Sequence, residues 1–273
     1  MNNWPRTFTS WGEGNTLYIS IPFTWILPQV LEIIMQRNFF FDSFVLGGPA
    51  VELMPHYFDG IECVKIGHAC SNVLQRINPD ATRTTLGCPN KCQFCAVPKL
   101  EGCFTELDSW FDGNILCDNN LLAASQHHFD KVCDKLEKHS SCDFNQGLDA
   151  RLLTDYHAER LAGLPEPAIR LSLDSSASIK FWIPAVEILR KAKIALRKIS
   201  TYVLCGFNSD EKDAWDRCDL VEAQGITPNP QWYHPLDCME HNAVMPCHTD
   251  YGWTVEKQQH LMGYFYRRRG KHL

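Results

Sequence analysis

The chain has 273 residues, 45% of them hydrophobic and 21% charged, which suits one large domain with an appendage and excludes long disorder. A formal charge of −6 excludes a general attraction to nucleic acid or to an anionic membrane surface. The longest apolar stretches, such as LYISIPFTWIL, are interrupted by proline and fall short of the roughly 20 residues a membrane span needs. The opening MNNWPRTFTSWGEG lacks the basic-then-apolar order of a secretory signal, so a cytoplasmic protein with no membrane partner is expected.

In chain order, residues 17–26 (LYISIPFTWI) read as a strand by their aromatic and β-branched content. Residues 28–37 place Val30, Ile33, Ile34 and Arg37 at helical spacing behind Pro28, a first-turn proline. FDSFVLGGPA gives a second strand running into a Gly-Gly-Pro turn, with VELMPHYF as a further helix. After residue 78 the alternation repeats. GNILCDNNLL, CDFNQGLDA, AIRLSLDSS and KISTYVLCGFN read as strands; ASQHHFDKVCDKLEKH, TDYHAERLAGL and IPAVEILRKAKIAL read as helices between them. SDEKDAWDRCDLVEAQG follows as a helix with Ser209 as N-cap and Gly225 closing it. Strict alternation implies a parallel sheet with helices outside. The expected fold is α/β, a partial (β/α)6 TIM-like barrel. Its divisions are a short α/β appendage over 1–78, a core barrel over 79–250 and a C-terminal helix with a basic tail over 251–273. YRRRGKHL in that tail reads as a solvated segment, with contact to a phosphate-bearing substrate as its alternative.

In such folds chemistry gathers at the carboxyl ends of the strands. The residues there are Asp118-Asn119-Asn120, Asn145-Gln146-Gly147, Asp174-Ser175-Ser176 and Gly206-Phe207-Asn208. Thirteen cysteines, an odd number, make a complete disulfide framework a poor explanation and raise metal binding. Three of them, Cys88, Cys92 and Cys95, sit in TTLGCPNKCQFCAVPKLEG with C-x3-C-x2-C spacing. Thiolates suit zinc and iron–sulfur clusters. A structural zinc site needs four ligands, usually in C-x2-C pairs, so zinc here would need a fourth ligand such as His68 or Cys103. Three ligands within eight residues instead fit three corners of a cubane cluster, leaving one iron free to hold a small molecule. Cys63, Cys70, Cys103, Cys117, Cys133, Cys142, Cys205, Cys218, Cys238 and Cys247 form no C-x2-C pair and read as mostly buried small hydrophobes.

CPNKCQFC, with Phe94 just before the last cysteine, resembles the C-x3-C-x-aromatic-C signature of the radical S-adenosylmethionine superfamily, and the alternating strands and helices agree with it. The resemblance implies a [4Fe-4S] cluster on Cys88, Cys92 and Cys95. That cluster would reductively cleave S-adenosylmethionine to methionine and a 5′-deoxyadenosyl radical, which abstracts hydrogen from a substrate. It places Phe94 close to the adenine, and Asp118, Asn119 and Asn120 where the family has a Gly-Gly-Glu motif that receives the amino group; this sequence departs from that motif. Asn145 lies among the implied cofactor contacts. Arg151 is a carboxylate partner, because guanidinium grips carboxylate in a fixed fork. Gly206 and Phe207, in YVLCGFN, match the late-strand adenine contact, with Gly206 allowing close approach. Cys205 and Asp174 are the candidate catalytic residues; Cys205 would donate a hydrogen atom if it points inward, and otherwise reads as a packing residue. An electron donor such as flavodoxin or ferredoxin is implied.

GCPNKCQFCAVPKLEG is similar to the cysteine segment of methylthiotransferases and cobalamin-dependent radical enzymes, and FVLGGPAVELMPHYF looks like the end of a cobalamin-binding Rossmann domain. The Asp-x-His-x-x-Gly corrinoid motif and the accessory domains of methylthiotransferases are missing. The N-terminal unit therefore reads as a reduced remnant, and cobalamin is not expected. Two other functions stay open: a corrinoid-assisted methyltransferase, and a non-catalytic zinc-stabilised binding protein. PNPQWYHPLD, residues 228–237, reads as aromatics lining a substrate opening, which makes a nucleoside or nucleic-acid base a candidate substrate. Cys247, His248 and Asp250 read as loop polar residues, and His127-His128 as a solvated helix face.

Overall fold

The computed structural model describes residues 4, 7–37, 40–67 and 72–269. Its contacts divide the chain into two units: Met1–Ala81 with His234–His241, and Thr82–Tyr233 with Asn242–Leu273. The aromatic segment 228–237 is thus split after Tyr233, and the C-terminal residues belong to the second unit. His68 and Cys70 lie outside the described residues.

In the first unit, β1 (Thr9–Glu13), β2 (Thr16–Ser20), α1 (Leu27–Arg37), β3 (Ser43–Gly47), α2 (Pro49–Leu53), β4 (Val64–Ile66) and α3 (Val73–Ile77) follow in sequence. The sheet order is β1-β2-β3-β4. The β2–α1–β3 crossover is parallel, as the sequence implies, while β1 adds an antiparallel hairpin that the pattern does not announce. The predicted strand 17–26 stops at Ser20, and Thr24–Ile26 form a 3₁₀ turn leading into α1. Leu17, Ile19, Val30, Ile34, Phe44 and Leu46 make this unit's core. At Gly48 (φ 94°) a Cβ would lie 2.8 Å from the Ile21 carbonyl, which explains a glycine before the Pro49 helix start. The returning segment is tied in by Thr24 Oγ1 donating to the Cys238 carbonyl at 2.5 Å and by Trp25 packed on His234 and His241.

The second unit runs β5 (Ala81–Thr82), β6 (Thr85–Leu86), α4 (Val97–Leu100), β7 (Thr105–Glu106), β8 (Ile115–Leu116), α5 (Gln126–Leu136), β9 (Cys142–Phe144), α6 (Asp155–Gly163) and β10 (Pro167–Ser172). It continues with α7 (Ile179–Lys191), β11 (Ile199–Cys205), α8 (Glu211–Ala223), β12 (Thr227–Trp232), α9 (Pro246–Thr249) and α10 (Val255–Arg269). Six strands form one parallel sheet in the order β12-β11-β10-β9-β8-β5. Its register pairs Ser172 with Tyr202 and Tyr202 with Asn229.

Side chains alternate across this sheet. Phe144, Ile169, Leu171, Ile199, Val203 and Cys205 are buried and share one core with α5, α6, α7, α8 and α10, through Phe129, Leu161, Trp182, Cys218 and Leu261. The intervening Asp143, Arg170, Ser172, Ser200 and Tyr202 are only half-buried.

Three local outcomes differ from the sequence reading. α7 starts at Ile179, one turn early, and keeps Pro184 inside the helix; the extra turn buries Trp182, whose indole donates to Thr201 Oγ1 at 3.2 Å. The α8 cap is Asp210, which accepts from the Asp213 amide, and not Ser209. Residues 227–232 form a strand despite Pro228 and Pro230 because β12 is at the sheet edge, where alternate residues owe no hydrogen bond to a neighbouring strand. Tyr266 of α10 donates instead to the Pro230 carbonyl at 3.0 Å. No described helix is long and apolar enough to cross a membrane.

Candidate functional site

A cleft of about 630 Å³ in the second unit is lined by Cys92, Phe94, Arg151, Asp174, Phe207 and Tyr251, with Ser175, Ser176, Ser178, Asn208, Ser209, Asp210 and Asp213 completing the wall. Its size lies within the ~300–1,000 Å³ of small-molecule sites. Cys92 and Phe94 come from the cysteine loop, Asp174 from just beyond β10 and Phe207 from just beyond β11. The cleft therefore stands at the carboxyl ends of parallel strands, where α/β folds place ligands.

The loop is built by local hydrogen bonds. Thr85–Leu86 pair antiparallel with Thr105–Glu106, and Gly87 (φ 69°) leads directly into Cys88. A Cβ at Gly87 would sit 2.5 Å from the Cys103 carbonyl, so the entry demands glycine. Cys95 N–H donates to the Cys92 carbonyl at 3.1 Å, closing the turn between these two thiols. Glu101 holds both sides: it accepts from the Gly87 amide at 2.7 Å, from Asn119 Nδ2 at 2.7 Å and from Arg83 Nη1 at 2.7 Å.

The three thiols are half-buried and within electrostatic range of one another. Burial pushes Cys92 and Cys95 up, and for Cys92 the nearby Arg151 guanidinium pulls the other way. Among the described residues, no three His, Cys, Asp or Glu groups converge as a ready ion-binding cluster. The donor chemistry nonetheless fits an iron–sulfur group, which is held by cysteine thiolates and tuned by hydrogen bonds to their sulfurs. Asn120 Nδ2 donates to Cys88 Sγ at 3.5 Å, and Arg151 shares the cleft with Cys92. Asn120 is 2% exposed and its Oδ1 has no partner among the described residues, a buried acceptor left open beside the thiols.

The other residues singled out from the sequence separate into two groups. Phe94 and Phe207 meet edge-on at 5.3 Å in the cleft, and Tyr233 packs on Phe207 at 4.9 Å. Asp174 shares the cleft with Cys92; burial raises it, while Ser172 Oγ donates to it at 3.3 Å and Arg151 and Arg217 oppose the rise. Asp118, Asn119, Asn120, Asn145 and Gly206 do not line the cleft. Asp118 is buried, and its Oδ1 accepts from the amides and hydroxyls of Thr84 and Thr85 at 2.5–3.0 Å, tying the start of the cysteine loop to the end of β8. Burial raises Asp118 against those bonds. The Asn145 amide donates to the Leu116 carbonyl and its own carbonyl accepts from Tyr202 Oη, extending the sheet.

Gly206 does permit a close approach, but by protein: at φ 85° a Cβ would lie 2.9 Å from both Trp232 and His248. Cys205 is fully buried on the helix-covered face, beside Cys218 of α8, so its thiol packs between sheet and helix. His248 is likewise buried; it accepts from the Met245 amide at 2.8 Å, lies 3.1 Å from the Tyr233 carbonyl and stacks on Trp232. Only His127 of the helical pair is exposed; His128 is 5% exposed and packs on Trp110. Among the remaining cysteines, Cys117, Cys133, Cys142, Cys218 and Cys238 are buried, and burial pushes Cys117, Cys133 and Cys142 to about 12.

Asp149, Asn90, Glu101 and Arg217 support the candidate site, and the sequence reading passes over them. Asp149 lies two residues after Gly147 in a strand-end segment already marked by its polar run; its density of partners is visible only in three dimensions. Arg217 is fully buried in α8, donates to the carbonyls of Leu173 and Leu204 at 2.8 Å each and pairs with Asp213 at 2.7 Å. It thereby fixes the ends of β10 and β11 that carry Asp174 and Phe207.

No protein-family model matches the chain, and no curated protein matches it closely enough to count as a relative.

Proposed function

We propose that this protein is a radical S-adenosylmethionine enzyme on a partial β/α barrel, with Cys88, Cys92 and Cys95 as the ligands of a [4Fe-4S] cluster. The observation that carries this reading is the meeting of the C-x3-C-x2-C loop with a small-molecule cleft at the carboxyl ends of parallel strands, through Cys92 and Phe94. A barrel agrees with helices on one sheet face and half-buried polar residues on the other; a doubly wound sheet carries helices on both.

When bound, the cluster supplies the electron that splits S-adenosylmethionine into methionine and a 5′-deoxyadenosyl radical, the species that takes hydrogen from the substrate. The chain's own residues bind and orient. The Phe94–Phe207 wall offers an apolar surface to a flat ring. Ser175, Ser176 and Ser178 offer hydroxyls, and Asp174, held partly out of water, can accept from a ligand hydroxyl. Arg151 differs from the sequence reading: its fork is already occupied by Asp149, at 2.7 and 2.8 Å, so it is not a free carboxylate clamp.

Anaerobic reconstitution with iron and sulfide, reduction in the presence of S-adenosylmethionine and assay for 5′-deoxyadenosine tests the reading, with Cys92→Ala alongside. Product from the wild type alone is expected. A colourless protein holding one zinc and giving no product would replace it with the zinc-stabilised binding protein.

A further inference from the structure

The Asp149 carboxylate, with its side chain 9% exposed, gathers five donors. Its Oδ1 accepts from Arg151 N at 3.1 Å and Arg151 Nε at 2.7 Å; its Oδ2 accepts from Arg151 Nη2, Asn90 Nδ2 and Asn120 Nδ2 at 2.8, 2.8 and 3.1 Å. Each donor leads back to the cysteine loop. Asn90 lies between Cys88 and Cys92. Asn120 uses its amide nitrogen twice, once on Asp149 and once on Cys88 Sγ at 3.5 Å; because Asp149 only accepts, the nitrogen must be the atom facing both. The bidentate grip on Arg151 fixes the plane of the guanidinium, and Arg151 lines the same cleft as Cys92.

Burial alone would push Asp149 up, yet the donors from Arg151 and Asn90 outweigh it and leave the carboxyl below its usual range. It is thus an anion at neutral pH.

Resting on the proposed function, we infer that Asp149 is a positioning residue that aims the Arg151 guanidinium at Cys92 and the Asn120 amide at Cys88, and thereby raises the reduction potential of the cluster these thiolates hold. N–H donors and a cation beside the sulfurs favour the reduced, more negative cluster. Without the fork, the half-exposed Arg151 side chain is free to swing into water, and Asn120 loses the partner that orients its amide.

The test is a redox titration of the reconstituted protein, followed by electron paramagnetic resonance, on wild type, Arg151→Met, Asp149→Asn and the double variant. A positioning role predicts that Arg151→Met and Asp149→Asn both move the potential in the negative direction, and that adding Arg151→Met to Asp149→Asn moves it no further. If Asp149 acted only through its charge, neutralising it would move the potential the opposite way. That sign, or potentials equal to wild type in both single variants, overturns the inference and leaves the proposed function standing. A wild type that takes up iron and sulfide without forming a four-iron cluster overturns both. Arg151 is 43% exposed, so Arg151→Met is expected to fold, and a wild-type potential in that variant overturns the inference even if Asp149→Asn fails to fold.

Discussion

On one face of the six-stranded sheet, Ile169, Leu171, Ile199, Val203 and Cys205 are buried among five helices, while on the other Arg170, Ser172, Ser200 and Tyr202 are half-buried. The alternation along β10 and β11 is the same period of two read from opposite sides. Stability is concentrated on the apolar face, because area removed from water is the dominant favourable term in folding. The polar face gives up that burial, and the cleft lies beyond the ends of these strands, at Asp174 and Phe207. Arg217 joins the two, reaching from the helix layer to the strand-end carbonyls of Leu173 and Leu204.

Substitutions on the two faces can break this comparison. The largest loss is expected from Trp182→Ala: an empty volume and an abandoned Thr201 hydroxyl cost about 3–5 kcal/mol, read as a lower denaturant midpoint at unchanged m value. Arg217→Met follows at about 3 kcal/mol, since it leaves Asp213 and two carbonyls without their buried partner; it should also weaken ligand binding in the cleft, which equilibrium titration measures. Cys205→Ala should cost about 1 kcal/mol and leave 5′-deoxyadenosine formation unchanged. Loss of product without loss of stability would move Cys205 to the chemical side.

The pH dependence of the melting temperature probes the buried His128 and His248 and the half-buried His157. Burial lowers His128, His157 and His248, so the unfolded chain takes up protons first. Their contribution is fully present above the ordinary histidine value of about 6.5 and is lost as pH falls from there toward the lower folded values. A melting temperature that rises on going from pH 7 to pH 5.5 would contradict it. The smallest effect belongs to the polar face: Ser172→Ala should stay within about 0.5 kcal/mol, and a cost equal to that of Cys205→Ala would erase the distinction between the faces.

By itself the sequence determined the βα alternation of the second unit, the crossover in the first, the three-cysteine loop and the strand ends that hold Asp174 and Phe207. These rest on local signals: period, turn residues and spacing. It did not reveal β1 or β12, because a hairpin strand without strong alternation and an edge strand with two prolines carry weak local patterns. Tertiary structure alone decided between the two readings of Cys205 in favour of packing, that His248 is a packing residue, that Asp118 is a loop tie and that Asp149 holds the fork of Arg151. Each depends on which way a side chain turns and on what another segment brings to meet it, and spacing along the chain carries neither.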